Sequence, residues 1–255
     1  MGSPKPRPND PDRCRLQKHL AQCGIGSRRA CEELIAGGSV SVNDQIVTQL
    51  GTSIDPNEDV VCVDGRRVRR ERHVYILLNK PRDVLCTASD PQGRKIFKDL
   101  LQAVPVRTYT VGRLDRDSEG MLIVTNDGRL AQHLTHPRYH VKKHYRVWTE
   151  GRLSKEQIRR MRDGIESDGE MLVAADIRLE GDRDGLQRYH MELQEGRKRQ
   201  IRRMFAACGQ KLWRLQRIAI GGMKLGALKP GDWRYLEDAE IRQLCREAQC
   251  PELTP

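Results

Sequence analysis

Thr110-Val111-Gly112-Arg113-Leu114-Asp115-Arg116-Asp117-Ser118-Glu119-Gly120 is a charged segment between two stretches that favour extended backbone. Ahead of it, Thr108, Tyr109, Thr110 and Val111 are strand formers, and Gly112 lets the chain bend as that strand ends. Behind it, Met121-Leu122-Ile123-Val124-Thr125 is an apolar run closed by Asn126-Asp127-Gly128, which predicts a second, buried strand followed by a turn. A charged loop between two buried strands is held by its scaffold while its side chains stay reachable, a common setting for catalytic groups. Asp115 is the leading candidate. A calcium loop is the first rival, since Asp115, Asp117 and Glu119 alternate ahead of Gly120. It fails at the twelfth position, where Asn126 stands in place of a bidentate Glu, and its flanks are strands rather than helices. An ordinary solvated loop is the second rival, and the composition of the segment leaves it open.

Downstream, helical and extended patterns alternate without regular βαβ spacing. Leu130 to Leu134 reads as a helix ending at His136-Pro137, Tyr145 to Trp148 as a strand, and Ser154 with Gln157 as the capping box of another helix. Val173, Ala175, Ile177 and Leu179 alternate with other residues, as do Tyr189, Met191 and Leu193, predicting two half-buried strands. Ile201, Met204, Phe205 and Cys208 form one helical stripe, which leaves Arg199, Arg202 and Arg203 to project together from a neighbouring face. Such a face grips phosphate or supplies an arginine to a carboxylate; it is also what a solvated basic helix looks like. With Val74 to Leu78 as a core strand and Ile96 to Leu101 as a helical segment, the pattern predicts an α+β domain on a mixed, largely antiparallel sheet.

Upstream the pattern is different. Residues 1–12 carry four prolines with Lys and Arg and no apolar period, predicting a disordered basic arm. Leu16, Leu20 and Cys23 recur at helical spacing, and Ser27 caps a second helix bearing Ala30, Cys31, Leu34 and Ile35. Val40 to Val42 with Ile46 and Val47 reads as a hairpin, and Val60 to Val63 with Asp64-Gly65 as a further β element. Arg28 and Arg29 open the second helix, against the helix dipole, an arrangement that phosphates in front of them would explain. Arg15, Lys18 and the arginines between 66 and 72 extend the positive surface, and that last run reads as a linker. The predicted division is an arm at 1–12, a small domain at 13–70, a larger one at 71–245 and a tail at 246–255.

Composition narrows the partner. The 46 Lys and Arg outweigh 35 Asp and Glu, for a net charge of +11 over 255 residues, which points to a phosphate-rich polymer. No long apolar run, basic aromatic helix or signal pattern points to a membrane, and the expected setting is cytoplasmic. The eight cysteines form no C-x-x-C pair and the seven histidines are scattered, so reduced thiols and no metal site are expected.

Taken together, Gly112-Arg113-Leu114-Asp115 with Gly120, Thr125-Asn126-Asp127-Gly128, His136-Pro137, Lys143-x-Tyr145-x-Val147, Arg199-Gln200-Ile201-Arg202-Arg203-Met204-Phe205 and the closing Leu225-Gly226-x-Leu228-x-Pro230-Gly231-x-Trp233-Arg234 resemble the pseudouridine synthases of the branch that modifies bacterial ribosomal RNA. The likeness spans about Arg13 to Leu236. The front unit, through Gly24-Ile25-Gly26-Ser27-Arg28-Arg29 and Val40-x-Val42-Asn43, resembles the α-L RNA-binding domain shared with a small-subunit ribosomal protein. One departure is Ser118, where the family commonly has Thr; the hydroxyl is kept.

The resemblance implies that Asp115 is the essential carboxylate, held ionised against burial by Arg202. It implies that Tyr145 lies against the target uracil, that Arg113 fills the gap left by a flipped nucleotide, and that Lys143 and Ile201 line the pocket. Arg15, Lys18, Arg28, Arg29, Asn43, Arg199 and Arg203 would contact RNA. No cofactor or metal is implied. The expected partner is ribosomal RNA, with 23S preferred over 16S, and the expected state is a monomer. A non-catalytic RNA-binding ribosome-assembly factor is the alternative from another class.

Overall fold

The computed structural model describes residues 13–251, so the expected arm at 1–12 and the end of the tail lie outside the described residues. The chain divides into two compact units, 1–73 and 74–255.

In the first unit the apolar positions at helical spacing fold as expected. Strand β1 (Cys14–Arg15) leads into α1 (Leu16–Gln22), and α2 (Arg28–Ala36) starts where the Ser27 hydroxyl accepts the Ala30 amide at 3.0 Å. Strands β2 (Val40–Val42), β3 (Gln45–Ile46), β4 (Ser53–Ile54), β5 (Val61–Val63) and β6 (Arg66–Arg67) follow. Four of them make a small sheet in the order β3-β2-β5-β6, while β4 pairs with β1. Leu16, Leu20, Cys31, Ile35, Val40, Ile54 and Val61 close its core.

The second unit is built on one mixed sheet, nine-stranded among the described residues. Its elements in chain order are β7 (Tyr75–Lys80), a 3-10 turn (Phe97–Leu100), β8 (Tyr109–Thr110), β9 (Glu119–Thr125), α3 (Gly128–Thr135) and β10 (Lys143–Thr149). Then come α4 (Lys155–Asp163), the hairpin β11 (Ile165–Ser167) and β12 (Glu170–Leu172), β13 (Asp176–Arg183), β14 (Leu186–Leu193) and α5 (Gln200–Ala207). The unit closes with β15 (Leu212–Ile220), β16 (Met223–Lys224), β17 (Trp233–Tyr235) and α6 (Asp238–Glu247). The sheet order is β13-β14-β10-β15-β9-β7-β17, with β8 on β9 and β16 on β15. Every pairing is antiparallel except β9 with β15, so the fold is α+β on a mostly antiparallel sheet, as the sequence pattern predicts.

Strand alternation distributes the core. Tyr145 and Val147 of β10 face the same side as Ile177, Tyr189, Met191 and Leu193, and α4 and α5 seal them with Met161, Ile201, Met204 and Phe205. In the other half, Leu77, Met121 and Ile123 pack under α3 and α6, while Ile76, Leu78, Leu122 and Val124 pack against Phe97 and Leu101.

Several expected elements differ. The first strand of the loop shrinks to Tyr109–Thr110 and the second begins early, at Glu119. Asn126-Asp127-Gly128 is no free turn: the Asp127 carboxylate accepts the Arg129 and Leu130 amides and caps α3, while its other oxygen takes the Tyr75 hydroxyl at 3.0 Å. Val173 and Ala175 lie ahead of β13, which starts at Asp176. No helix among the described residues is long and apolar enough to cross a membrane.

Candidate active site

The 111–120 loop is pinned from below by a lysine. Lys80 ends β7 with its side chain wholly buried, and its ammonium donates to the carbonyls of Pro81 at 2.9 Å, Ser118 at 2.7 Å and Arg116 at 3.4 Å. Burial pulls the Lys80 pKa down, while Cys86, Asp115, Asp117 and Asp83 act to raise it. The Asp83 amide donates to Arg116 O at 2.7 Å, the Leu114 amide meets Cys86 Sγ at 3.4 Å, and the Ser118 amide closes a turn onto Asp115 O at 3.1 Å. Gly112, at φ +69°, provides the expected bend.

Above the loop stands the start of α5, whose N-cap Arg199 adopts a left-handed conformation at φ 51°. That backbone aims the Arg199 guanidinium at both acids of the loop, 3.7 Å from Asp115 Oδ2 and 3.2 Å from Asp117 Oδ2. Arg202 sets Nε 3.2 Å from Asp117 Oδ2 and donates through Nη2 to Asp117 O at 3.0 Å and Ser118 Oγ at 3.3 Å. Arg202 is near enough to Asp115 for the two charges to attract, as the resemblance implies, while its direct contacts are with Asp117 and the retained Ser118 hydroxyl; the direct ion pair on Asp115 is made by Arg199. Burial acts to raise the Asp117 pKa, but the two guanidinium groups prevail and keep it below its ordinary value. Arg203 does not share this cluster as the helical face suggested. It turns to the β11–β12 hairpin, 2.9 Å from Asp168 and 2.5 Å from Glu170.

Asp115 stays accessible, with 33% of its side chain exposed, as expected of a reachable side chain on a loop held by its scaffold. Leu114, Tyr145 and Ile201 belong to one buried cluster, with Tyr145 only 7% exposed. The loop, β10 and α5 thus bring an open carboxylate, a tyrosine and an aliphatic side chain into one neighbourhood of the fold. Lys143 lies two residues before Tyr145 on the same face of β10, half-buried, with Nζ donating to Val141 O at 2.8 Å. Burial, with the Arg217 guanidinium adding to it, pushes Lys143 down to about 8.

Over residues 74–207 the chain matches the family model of RNA pseudouridylate synthase. The chain belongs to the RNA pseudouridylate synthase family. Residues 14–60 match the S4 domain. A protein of Aquifex aeolicus named as an RNA pseudouridine synthase is 42% identical over 234 residues, covering 90% of this chain and 93% of that one. The ribosomal large subunit pseudouridine synthase B of Bacillus subtilis is 39% identical over 232 residues, covering 90% and 95%. A solved pseudouridylate synthase superposes with a TM-score of 0.64 at 28% identity, over 90% of this chain and 99% of the other. This protein is accordingly an RNA pseudouridine synthase, an enzyme with an RNA-binding S4 domain ahead of its catalytic unit.

Within the S4 domain of this synthase, Arg15, Lys18, Arg28 and Arg29 are exposed. Arg15 hydrogen-bonds to the Gly51 carbonyl. Asn43, expected to meet RNA, uses both polar atoms of its side chain inside the domain, on Asp59 Oδ1 at 2.8 Å and the Val60 amide at 2.9 Å. Arg113 of the 111–120 loop is exposed. Among the described residues no group of three His, Cys, Asp or Glu side chains is disposed to hold a metal ion.

Three residues escaped the sequence reading. Lys80 and Asp117 were visible as a charge beside a proline and as part of the loop, but their roles as anchors depend on contacts made across the fold. Arg217 is 3% exposed, lies opposite Tyr145 on one side and Gly120 on the other, and donates Nε to Met121 O at 2.7 Å. Its Nη2 is buried without a protein acceptor. The one signal for it was an arginine interrupting the apolar alternation of Leu215, Ala219 and Ile220.

Proposed function

We propose that this synthase isomerises a uridine of large-subunit (23S) ribosomal RNA to pseudouridine, with Asp115 as the essential carboxylate and no cofactor. The reaction breaks the bond from sugar carbon 1′ to uracil N1 and forms a bond from carbon 1′ to carbon 5. The proton on carbon 5 leaves and N1 ends protonated, so nothing is oxidised or reduced. What such a reaction asks of a protein is an anionic group beside the sugar, a surface that holds the detached base, and a base for the carbon-5 proton. The observation that carries the reading is an accessible carboxylate held on an anchored loop, close to a buried tyrosine and an aliphatic side chain.

In this reading Asp115 acts on the nucleotide, with the Arg199 guanidinium 3.7 Å from its carboxylate and the Arg202 charge also drawn to it. Arg202, through Asp117 and Ser118, fixes the loop that presents it. Tyr145 and Ile201 bracket the uracil, Tyr145 serves in removing the carbon-5 proton, and Lys143 lines the pocket. A uridine paired in a helix must leave its stack to reach these groups, at a cost of a few kcal/mol, and Arg113 occupies the gap it leaves. The 23S assignment is supported by the likeness to a large-subunit synthase over nearly its whole length.

The test is tritium release from transcripts labelled at carbon 5 of uridine, comparing 23S and 16S fragments. Wild-type protein is expected to release tritium from the 23S fragment, and Asp115→Asn to lose at least ~10³-fold in rate while binding the RNA nearly as tightly. Retained turnover in Asp115→Asn would remove that residue from the chemistry, and release from the 16S fragment alone would reassign the substrate.

A further inference from the structure

The strands that carry Tyr145 have a second face, and it holds an aromatic cleft. Along β10, alternation sends Tyr145 and Val147 into the core under α4 and α5 and turns Trp148 to the opposite side. There Trp148, Asp184, Leu186, Arg188, Trp213 and Arg214 line a cleft of about 590 Å³, the size range of small-molecule sites. The Arg214 guanidinium lies over the Trp148 ring, 4.7 Å from its centroid. On β15 the register shifts so that Trp148 opposes Arg214 and Thr149 opposes Leu212, which leaves Trp213 as an extra residue thrown out of the ladder. Trp213 is 51% exposed. Two of the three tryptophans of the chain therefore share one open cleft with two arginines.

The chemistry of this lining favours a flat aromatic guest. Indole faces and guanidinium planes stack on any nucleobase, and the sequence tolerance of such stacking suits single-stranded RNA. Both arginines already have carboxylate partners, Arg188 on Glu180 at 3.0 Å and Arg214 on Glu119 at 2.5 Å. Their charge is partly spent there, which argues for planar stacking rather than a phosphate grip, while the net charge of +11 draws the polyanion in. Trp148 lies on the opposite face of the sheet from Tyr145, so a base stacked there belongs to a single-stranded stretch that passes round the sheet from the target.

We propose that this cleft is a stacking site for an unpaired base flanking the target region of the bound RNA. The inference rests on the RNA-directed function argued above. Its test compares wild type, Trp213→Ala and Trp213→Phe for binding two hairpin RNAs with the same helix, one blunt and one with a single-stranded flank long enough to pass round the sheet, by fluorescence anisotropy. The flank is expected to strengthen binding to wild type, and Trp213→Ala to lose about tenfold in affinity for the flanked RNA alone. Trp213→Phe, which keeps an aromatic face, should recover most of that loss. Equal affinities for the three proteins would overturn the proposal and leave the cleft to a protein partner, and a loss shared by the blunt RNA would overturn it as well. Tritium release by wild-type protein is measured alongside. Turnover without a flank effect removes this cleft alone, whereas absence of turnover on every RNA counts against the functional reading.

Discussion

Lys143 shows how a single residue in this fold acquires an unusual proton affinity. It sits half-buried beside Tyr145 with a backbone carbonyl as hydrogen-bond partner, and burial and then the Arg217 charge hold it near 8. A lysine depressed in the folded protein costs stability while the unfolded chain holds its proton and the folded one does not want it. Between about 8 and the ordinary lysine value the unfolded state binds more protons, so this group makes stability rise with pH across that window; below about 8 both states are charged and its contribution is flat. Lys143→Met should therefore be more stable than wild type near neutral pH, with the advantage shrinking as pH climbs toward 10. Urea midpoints of the two proteins at several pH values measure this, and a constant difference would mean that Lys143 titrates normally. Arg217→Gln removes the second cause and should move the Lys143 titration upward, which NMR of labelled lysine side chains reads directly. The place of Lys143 two residues before Tyr145 on one strand face was legible in the sequence. Its depressed titration was not, because the burial that chiefly causes it and the Arg217 charge that adds to it both come from elements remote in the chain.

At the scale of elements, local patterns were legible and cross-fold contacts were not. The Ser27 cap and the Ser154–Gln157 capping box formed where the sequence placed them, because a cap is a contact between residues three apart. Asp127 read as a turn residue because its helix begins with Gly128, a poor helix former, and only the Tyr75 hydroxyl and the α3 amides reveal it as a cap. The direct ion pair of Arg199 with Asp115 was hidden for a related reason. Helical spacing grouped Arg199 with Arg202 and Arg203, but the left-handed backbone at Arg199 and the acids of the β11–β12 hairpin sent the three guanidinium groups to different partners. The parallel contact of β9 with β15 was equally hidden, since Arg214, Gln216 and Arg217 break the apolar rhythm of β15. That contact explains Gly120. Its φ is +103°, and a Cβ there would lie 2.3 Å from the Arg217 carbonyl oxygen, an atom fixed in the ladder. Gly120→Ala must pay for both strain and overlap, and should cost about 2–5 kcal/mol. The urea midpoint followed by tryptophan fluorescence reports it, since all three tryptophans lie in the catalytic unit. An unchanged midpoint would show that β9 and β15 separate easily.

For the whole molecule the governing quantity is charge. An excess of 11 positive charges in 255 residues gives any RNA a sequence-independent attraction, and each phosphate contact releases a counterion, so affinity must fall steeply with salt. The surface arginines differ in what they have left to offer. Arg199, Arg202 and Arg203 are engaged with Asp115, Asp117, Asp168 and Glu170, so their guanidinium groups are largely committed to holding the catalytic unit together. Arg28 and Arg29 are exposed in the first turn of α2, where the helix dipole makes a cation unfavourable and an anion welcome. If they meet phosphates, replacing both with Ala should weaken RNA binding at low salt and reduce the slope of log affinity against log salt by about 1.5–2, close to one counterion per side chain. Asp115→Asn makes a suitable background, since the proposed role of Asp115 predicts that turnover is then lost and binding alone is read. An unchanged slope would make the two arginines ordinary solvated charges and would shift the electrostatic recognition of RNA to other basic side chains, Arg15 and Lys18 of the same domain or Arg113 on the loop of Asp115.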